Sequence, residues 1–276
     1  MSALLSSLFE AFGYAFIQRA FIAGTFVALS CAILGVFLVL RRFALIGEGL
    51  GHVSFGAIGL CLLLQLHPVY FSIPLVVLAS LWILYLSERS KVQGDAAIGL
   101  TASLGVATGV LLASIGGGYN IDLFSYLFGN ILVISKTEVL LSIVLSLAVV
   151  AVVVLLYHDL FVTAFEEEYA RVIGAPTRWI NIVLVVCTAL TVVLGIRVVG
   201  IMLVSSLLIF PAIASLQVAA SFRWALIIAA LFAVFSVWTG IIASYLWDLP
   251  SGATIVFVNF GCFLAASAVG RLLGRG

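Results

Sequence analysis

Residues 139–157 read VLLSIVLSLAVVAVVVLLY, nineteen consecutive positions without aspartate, glutamate, lysine or arginine. A helix of about 20 largely apolar residues is what crosses roughly 30 Å of hydrocarbon. Working outward, uncharged runs recur at 20–40, 49–87, 96–121, 179–196, 198–222, 224–247 and 249–270. The run 49–87 is too long for one crossing. It breaks at Leu66-His67-Pro68, because proline cannot continue a helix and disfavours helix in the residue before it. The pattern predicts an all-α polytopic transmembrane bundle of about nine spans.

Composition agrees: 65% of the 276 residues are hydrophobic and 8% are charged, where a soluble domain carries roughly a quarter charged residues. Closed barrels also satisfy their backbone in lipid, but with alternating apolar and polar residues in segments of about ten. These runs are apolar throughout. Residues 1–17 have no basic stretch ahead of their apolar part and no small-residue cleavage site, so they are expected to stay in the mature protein. The four cysteines, Cys31, Cys61, Cys187 and Cys262, stand singly in four different runs and read as small buried hydrophobes. A net charge of +1 gives no reason to expect nucleic acid.

Basic residues set the orientation, since cytoplasmic loops keep an excess of them. With the N-terminus outside, Arg41, Arg42, Arg89, Lys91, Arg171, Arg178, Arg223, Arg271 and Arg275 fall inside, against Arg19, Lys136 and Arg197 outside. The C-terminus is then cytoplasmic. Trp179, Trp224 and Trp247 stand at run ends, where aromatic rings favour the interface.

Two connections exceed a turn. Residues 116–136 hold an apolar piece, 123–135, too short to cross and expected as a short outer half-helix. Residues 158–177, with a segment at about 159–177 expected to meet a partner, carry Glu166-Glu167-Glu168 and end on Gly174-Ala175-Pro176. The acids complement a helix N-terminus and the last three residues stop the helix. Ala170 and Gly174, small and four apart, suggest a shallow groove for a partner side chain; a solvated connector is the other reading. Neither segment has the composition of a soluble domain, so 1–276 reads as one transmembrane domain. Gly47, Gly49, Gly51, Gly56 and Gly59, with Gly105 and Gly109, predict close helix packing or a self-associating face.

An ionisable group inside a span costs at least about 2.5–3.5 kcal/mol and is a functional candidate. Glu48 is the one such group, with His52 four residues on. On a helix the two share a face. They are either ligands for an ion such as zinc, manganese or iron, or a hydrogen-bonded structural pair, and the residues alone leave both open. Zinc usually wants four ligands, which a twofold dimer supplies from two copies of Glu48 and His52. His67 and His158 read as solvated. Asp122, Glu138 and Asp248 either line an outer mouth that attracts cations or mark the water boundary.

Three patches carry a family resemblance: Arg41-Arg42 through Gly56 with its acidic-x-x-x-His element, Leu127-Phe128-Gly129-Asn130-Ile131-Leu132, and Gly200-Ile201-Met202-Leu203-Val204 through Pro211-Ala212. Over nearly its whole length the chain resembles permease subunits of ATP-binding-cassette importers for zinc, manganese and iron. The resemblance implies a bacterial-type cytoplasmic-membrane permease that dimerises with a second copy of itself. It also implies an ATPase dimer beneath it and an extracytoplasmic metal-binding protein delivering the ion. Glu48 and His52 would be path ligands and 167–174 a coupling helix, with Glu167, Glu168, Ala170, Arg171 and Gly174 meeting the ATPase. No permanent cofactor and no enzymatic chemistry of its own are expected, and zinc or manganese is the expected cargo. Many relatives have aspartate where this chain has Glu48, which alters the coordination distance. A more distant likeness runs to cobalamin and siderophore permeases, whose bundles are larger.

An ion-gradient-coupled secondary metal transporter is the main alternative. Such carriers commonly use several intramembrane acids or broken helices in visible repeats, and here Glu48 stands alone. An intramembrane metalloenzyme lacks its H-E-x-x-H element.

Overall fold

A computed structural model describes residues 14–66, 68–89, 93–115 and 134–272. Eleven helices make up the described chain: α1 (Ala15–Leu40), α2 (Ile46–Leu63), α3 (Pro68–Arg89), α4 (Gly94–Ile115), α5 (Lys136–Leu155), α6 (Tyr157–Phe165), α7 (Glu167–Val172), α8 (Thr177–Val199), α9 (Ile201–Val218), α10 (Phe222–Trp247) and α11 (Ser251–Leu272). Eight of them are long and apolar enough to cross a membrane. α2, at 18 residues, is not among those eight, though its length falls within the 17–25 that can suffice. Large apolar side chains such as Leu104, Leu111, Leu231 and Phe235 are exposed, as lipid contact allows and water does not. The expected half-helix at 123–135 and the Leu127–Leu132 patch lie outside the described residues, as do His67 and Asp122.

Several boundaries move from those the charges suggest. α3 starts on Pro68, a first-turn position where the missing N–H costs nothing. The break expected at Arg197 lies at Gly200 instead, whose φ is +84°. Glycine takes that left-handed backbone freely, while Arg197 simply continues α8. The connection 158–177 is largely helical, as α6 fills its first half.

Four helix ends close in the same way, with a left-handed residue at Arg42, Gln65, Gly174 or Asp248. In each, the next N–H reaches back five residues: Phe43 to Leu38, Leu66 to Cys61, Ala175 to Ala170 and Leu249 to Ser244. This closure satisfies carbonyls left over at a helix end. Glu138, read as a possible cation attractor, is occupied in a capping box. Its carboxylate accepts from the Ser135 N–H at 2.9 Å and hydroxyl at 3.0 Å, and its own N–H donates to Ser135 Oγ at 3.2 Å, tying down the start of α5.

The chain divides into two compact units: Met1–Val36, Leu123–Ala148 and Leu194–Gly276 form one, and Phe37–Asp122 with Val149–Val193 form the other. In the first, α9 packs on α10 and α11. Asn259 Nδ2 donates to Ser206 Oγ at 3.0 Å in its interior, which satisfies part of what burial of an amide requires. All four cysteines are free thiols, Cys31 and Cys61 of them buried.

The second unit is organised by α2 against α4. A Cβ added at Gly49 would meet Ile98, one at Gly56 would lie 2.6 Å from the Gly105 carbonyl oxygen, and one at Gly59 would meet Gly109. The paired positions advance together, so the two helices run parallel with backbones in contact. Gly49, Gly56, Gly59, Gly105 and Gly109 are therefore spent on packing inside the chain.

Candidate functional site

Glu48 stands in the first turn of α2 and His52 one turn on, both on the face that lines a cavity of about 600 Å³. Its other wall is α4, through Asp95, Ile98, Gly99, Ala102 and Ser103 among others. His52 Nε2 and Glu48 Oε1 are 4.0 Å apart, beyond hydrogen-bonding range. The two stand at ion-pair distance without a direct hydrogen bond. A tetrahedral ion with bonds of about 2.1 Å holds its ligand atoms roughly 3.4 Å apart, so a small side-chain movement turns the pair into two ligands. The Glu48 side chain is 52% exposed and that of His52 31%, which leaves them open from the cavity side. Among the described residues no group of three or more histidines, cysteines, aspartates and glutamates is placed to hold a metal. One chain offers an incomplete coordination sphere.

The position of His52 is fixed by α4. A Cβ on Gly105 would lie 2.8 Å from the His52 carbonyl oxygen and 2.7 Å from Val53 Cα, so only glycine permits this approach. Asp95, not anticipated from sequence, belongs to the same cavity. It precedes Ile98, the neighbour of Gly49, by three residues, or about 4.5 Å of helix rise, and so stands toward the N-terminal ends of both helices. In the sequence alone a charge at a run end marks only the water boundary. The parallel pairing of α2 and α4 is what singles it out.

A second polar region surrounds α7. Glu166 precedes it, and Glu167 and Glu168 occupy its first turn, as the helix dipole favours. Glu167 accepts from Arg41 Nη2 at 2.6 Å and from Arg171 Nη2 at 2.5 Å. Burial lowers the Arg41 guanidinium from its ordinary value, while the charges of Glu167 and then Glu88 push it back up. Arg171 is raised, first by its hydrogen bond to Glu167 and then by the charge of that carboxylate. Ala170 is fully buried, so the expected groove between Ala170 and Gly174 is not open to a partner: a helix of six residues must turn one face inward, and Ala170 is on it. Tyr169, Val172 and Ile173 are the exposed apolar side chains there, and no spacing rule distinguishes them in advance. His158 is exposed at the start of α6.

Gly174 has φ +84° and open space around its Cβ position. Gly174→Ala therefore strains only the backbone, by about 1 kcal/mol. Hydrogen-exchange mass spectrometry should find the amides closing α7 exchanging roughly fivefold faster.

Residues 13–270 match the model of the ABC 3 transport family. A probable metal transport system membrane protein from Treponema pallidum is 34% identical over 94% of this chain and 98% of its own length. The manganese transport system membrane protein MntC of Halalkalibacterium halodurans is 30% identical over 96% of this chain and 91% of its own. Among solved structures, PsaBC from Streptococcus pneumoniae in complex with Fab superposes with a TM-score of 0.82 at 26% identity, covering 96% of this chain and 94% of that one. With the family model spanning nearly the whole sequence, the chain belongs to the ABC 3 transport family.

Proposed function

We propose that this protein is the membrane permease of an ATP-driven importer for a divalent metal ion, manganese or zinc before iron. The ion passes between two copies of the chain as the path opens alternately to each side. The observation that carries the reading is Glu48 and His52 sharing one face of α2 at 4.0 Å, without a hydrogen bond between them, and opening into a cavity. Two such faces related by a twofold axis supply two carboxylates and two imidazoles, a complete set for zinc and a suitable one for manganese or iron. The names of two relatives, a metal and a manganese transport membrane protein, favour a metal-ion cargo.

The whole chain acts as one transmembrane unit in the bacterial cytoplasmic membrane, N-terminus outside and C-terminus inside. ATP hydrolysis belongs to a cytoplasmic ATPase dimer that meets α7 through Glu168, Tyr169, Val172 and Ile173, with Glu167, Ala170, Arg171 and Gly174 shaping that helix from within or at its end. An extracytoplasmic binding protein delivers the ion. In vesicles holding the permease with its ATPase, manganese uptake should require ATP and ignore uncouplers; uptake driven by an ion gradient alone would make the protein a secondary transporter.

Asp95 adds a second carboxylate to each copy of the cavity and concentrates cations there. Asp95→Asn should raise the manganese concentration for half-maximal uptake by about threefold or more while keeping most of the maximal rate. Concentration-dependent uptake in the same vesicles measures both.

A further inference from the structure

We propose that the Arg41–Glu167 ion pair is the positioning link through which α7 sets the start of α2, and hence the Glu48–His52 face. The inference rests on the permease reading above. Arg41 follows the last residue of α1, and α2 begins at Ile46. Its guanidinium meets Glu167 Oε2 at 2.6 Å with only 9% of its side chain exposed. Through its other oxygen Glu167 holds Arg171 and accepts from Asn181 Nδ2 at 3.5 Å. Asn181, buried in α8, also donates to Glu88 Oε1 at 2.9 Å near the end of α3. One carboxylate on a six-residue helix thus gathers the end of α1 directly and α3 and α8 through one amide.

From Arg41 onward the route to the cavity is short and stiff. The turn is closed by Phe43 N–H to the Leu38 carbonyl at 2.8 Å and Ile46 N–H to the Phe43 carbonyl at 3.0 Å, with Arg42 in the left-handed region. Phe43 is buried, and its ring lies 3.2 Å from where a Cβ on Gly94 would stand, at the start of α4. A displacement of α7 is therefore delivered through Arg41 and Phe43 to both helices that wall the cavity. The two arginines on Glu167 are unequal: Arg171 is 61% exposed, and exposed pairs contribute little. Breaking a buried pair leaves a charge without its partner.

The test uses the full permease with its ATPase in lipid vesicles and reads manganese ions moved per ATP hydrolysed. Arg41→Met and Glu167→Gln should continue to hydrolyse ATP while this ratio falls at least about tenfold, within the ordinary range of coupling between sites. Arg178→Gln, at an exposed arginine in the first turn of α8, should keep the ratio within about twofold. Where a single variant does not assemble, the Arg41→Met, Glu167→Gln double variant removes both charges at once; it should assemble and still show the low ratio. A wild-type ratio in any assembled Arg41 or Glu167 variant overturns the link, as does an equal fall in Arg178→Gln. Manganese uptake by wild-type vesicles without ATP overturns the permease reading, and this proposal with it.

Discussion

Replacing Glu48 with glutamine or His52 with alanine should reduce metal uptake by about a hundredfold or more while leaving the amount of inserted protein near wild type. Changes one step removed from a metal already cost 10–100-fold, and loss of a ligand costs at least as much. Glutamine keeps the length of glutamate but surrenders the charge that offsets dehydration of a cation. Neither substitution removes core packing, because the side chains are 52% and 31% exposed toward the cavity. Surface changes of that kind usually leave stability within about 0.5 kcal/mol. The measurement pairs uptake with immunoblotted or fluorescence-detected protein in the same membranes. Glu48→Asp is the informative companion: it retains charge but withdraws the carboxylate by one methylene, so it should keep uptake and shift preference among manganese, zinc and iron.

Gly105→Ala should damage both fold and transport. The new methyl group would stand 2.7 Å from Val53 Cα and 2.8 Å from the His52 carbonyl oxygen. These are backbone atoms that no rotamer change moves aside. Overpacking of this sort costs about 1–3 kcal/mol, and here relief requires α2 to move away from α4, carrying His52 with it. Detergent-extracted protein should melt several degrees lower, and whatever inserts should transport poorly. Gly99→Ala is the control on the same helix. Its Cβ position has nothing within 4 Å, so stability should hardly change even though Gly99 lines the cavity.

Much of the fold is legible in the sequence because lipid imposes a simple rule. A helix wholly in hydrocarbon must be apolar on all sides, so runs such as 139–157 declare themselves without any periodicity. The rule weakens where backbone conformation, not polarity, decides an end. Gly200 breaks the chain where its left-handed φ allows, while Arg197, the obvious charge nearby, remains helical. α6 was hidden for a related reason. Tyr157–Phe165 continues an apolar run with Asp159 in its first turn, which reads equally well as loop.

For the candidate site, the i, i+4 spacing of Glu48 and His52 is enough to put both on one side of a helix, and both line the same cavity. Asp95 was not recoverable that way, as its relation to Glu48 depends on the register of two helices joined by α3. The orientation of α7 was also beyond sequence. The four-residue spacing of Ala170 and Gly174 suggests one face, but α7 ends at Val172, so Ala170 is fully buried while Gly174, at φ +84°, stands in open space. Arg41 reads in the sequence as an inside positive charge and as the start of a resemblance patch, while its pairing with Glu167 spans 126 positions.

The central claim is that a cation is held by Glu48 and His52 from two copies of the chain together. Its most direct test is elemental mass spectrometry of the purified permease–ATPase complex after equilibration with manganese and removal of free ion. The account predicts one ion per two permease chains, lost when His52 is replaced by alanine. One ion per single chain, or an undiminished ion in the His52→Ala complex, would contradict it.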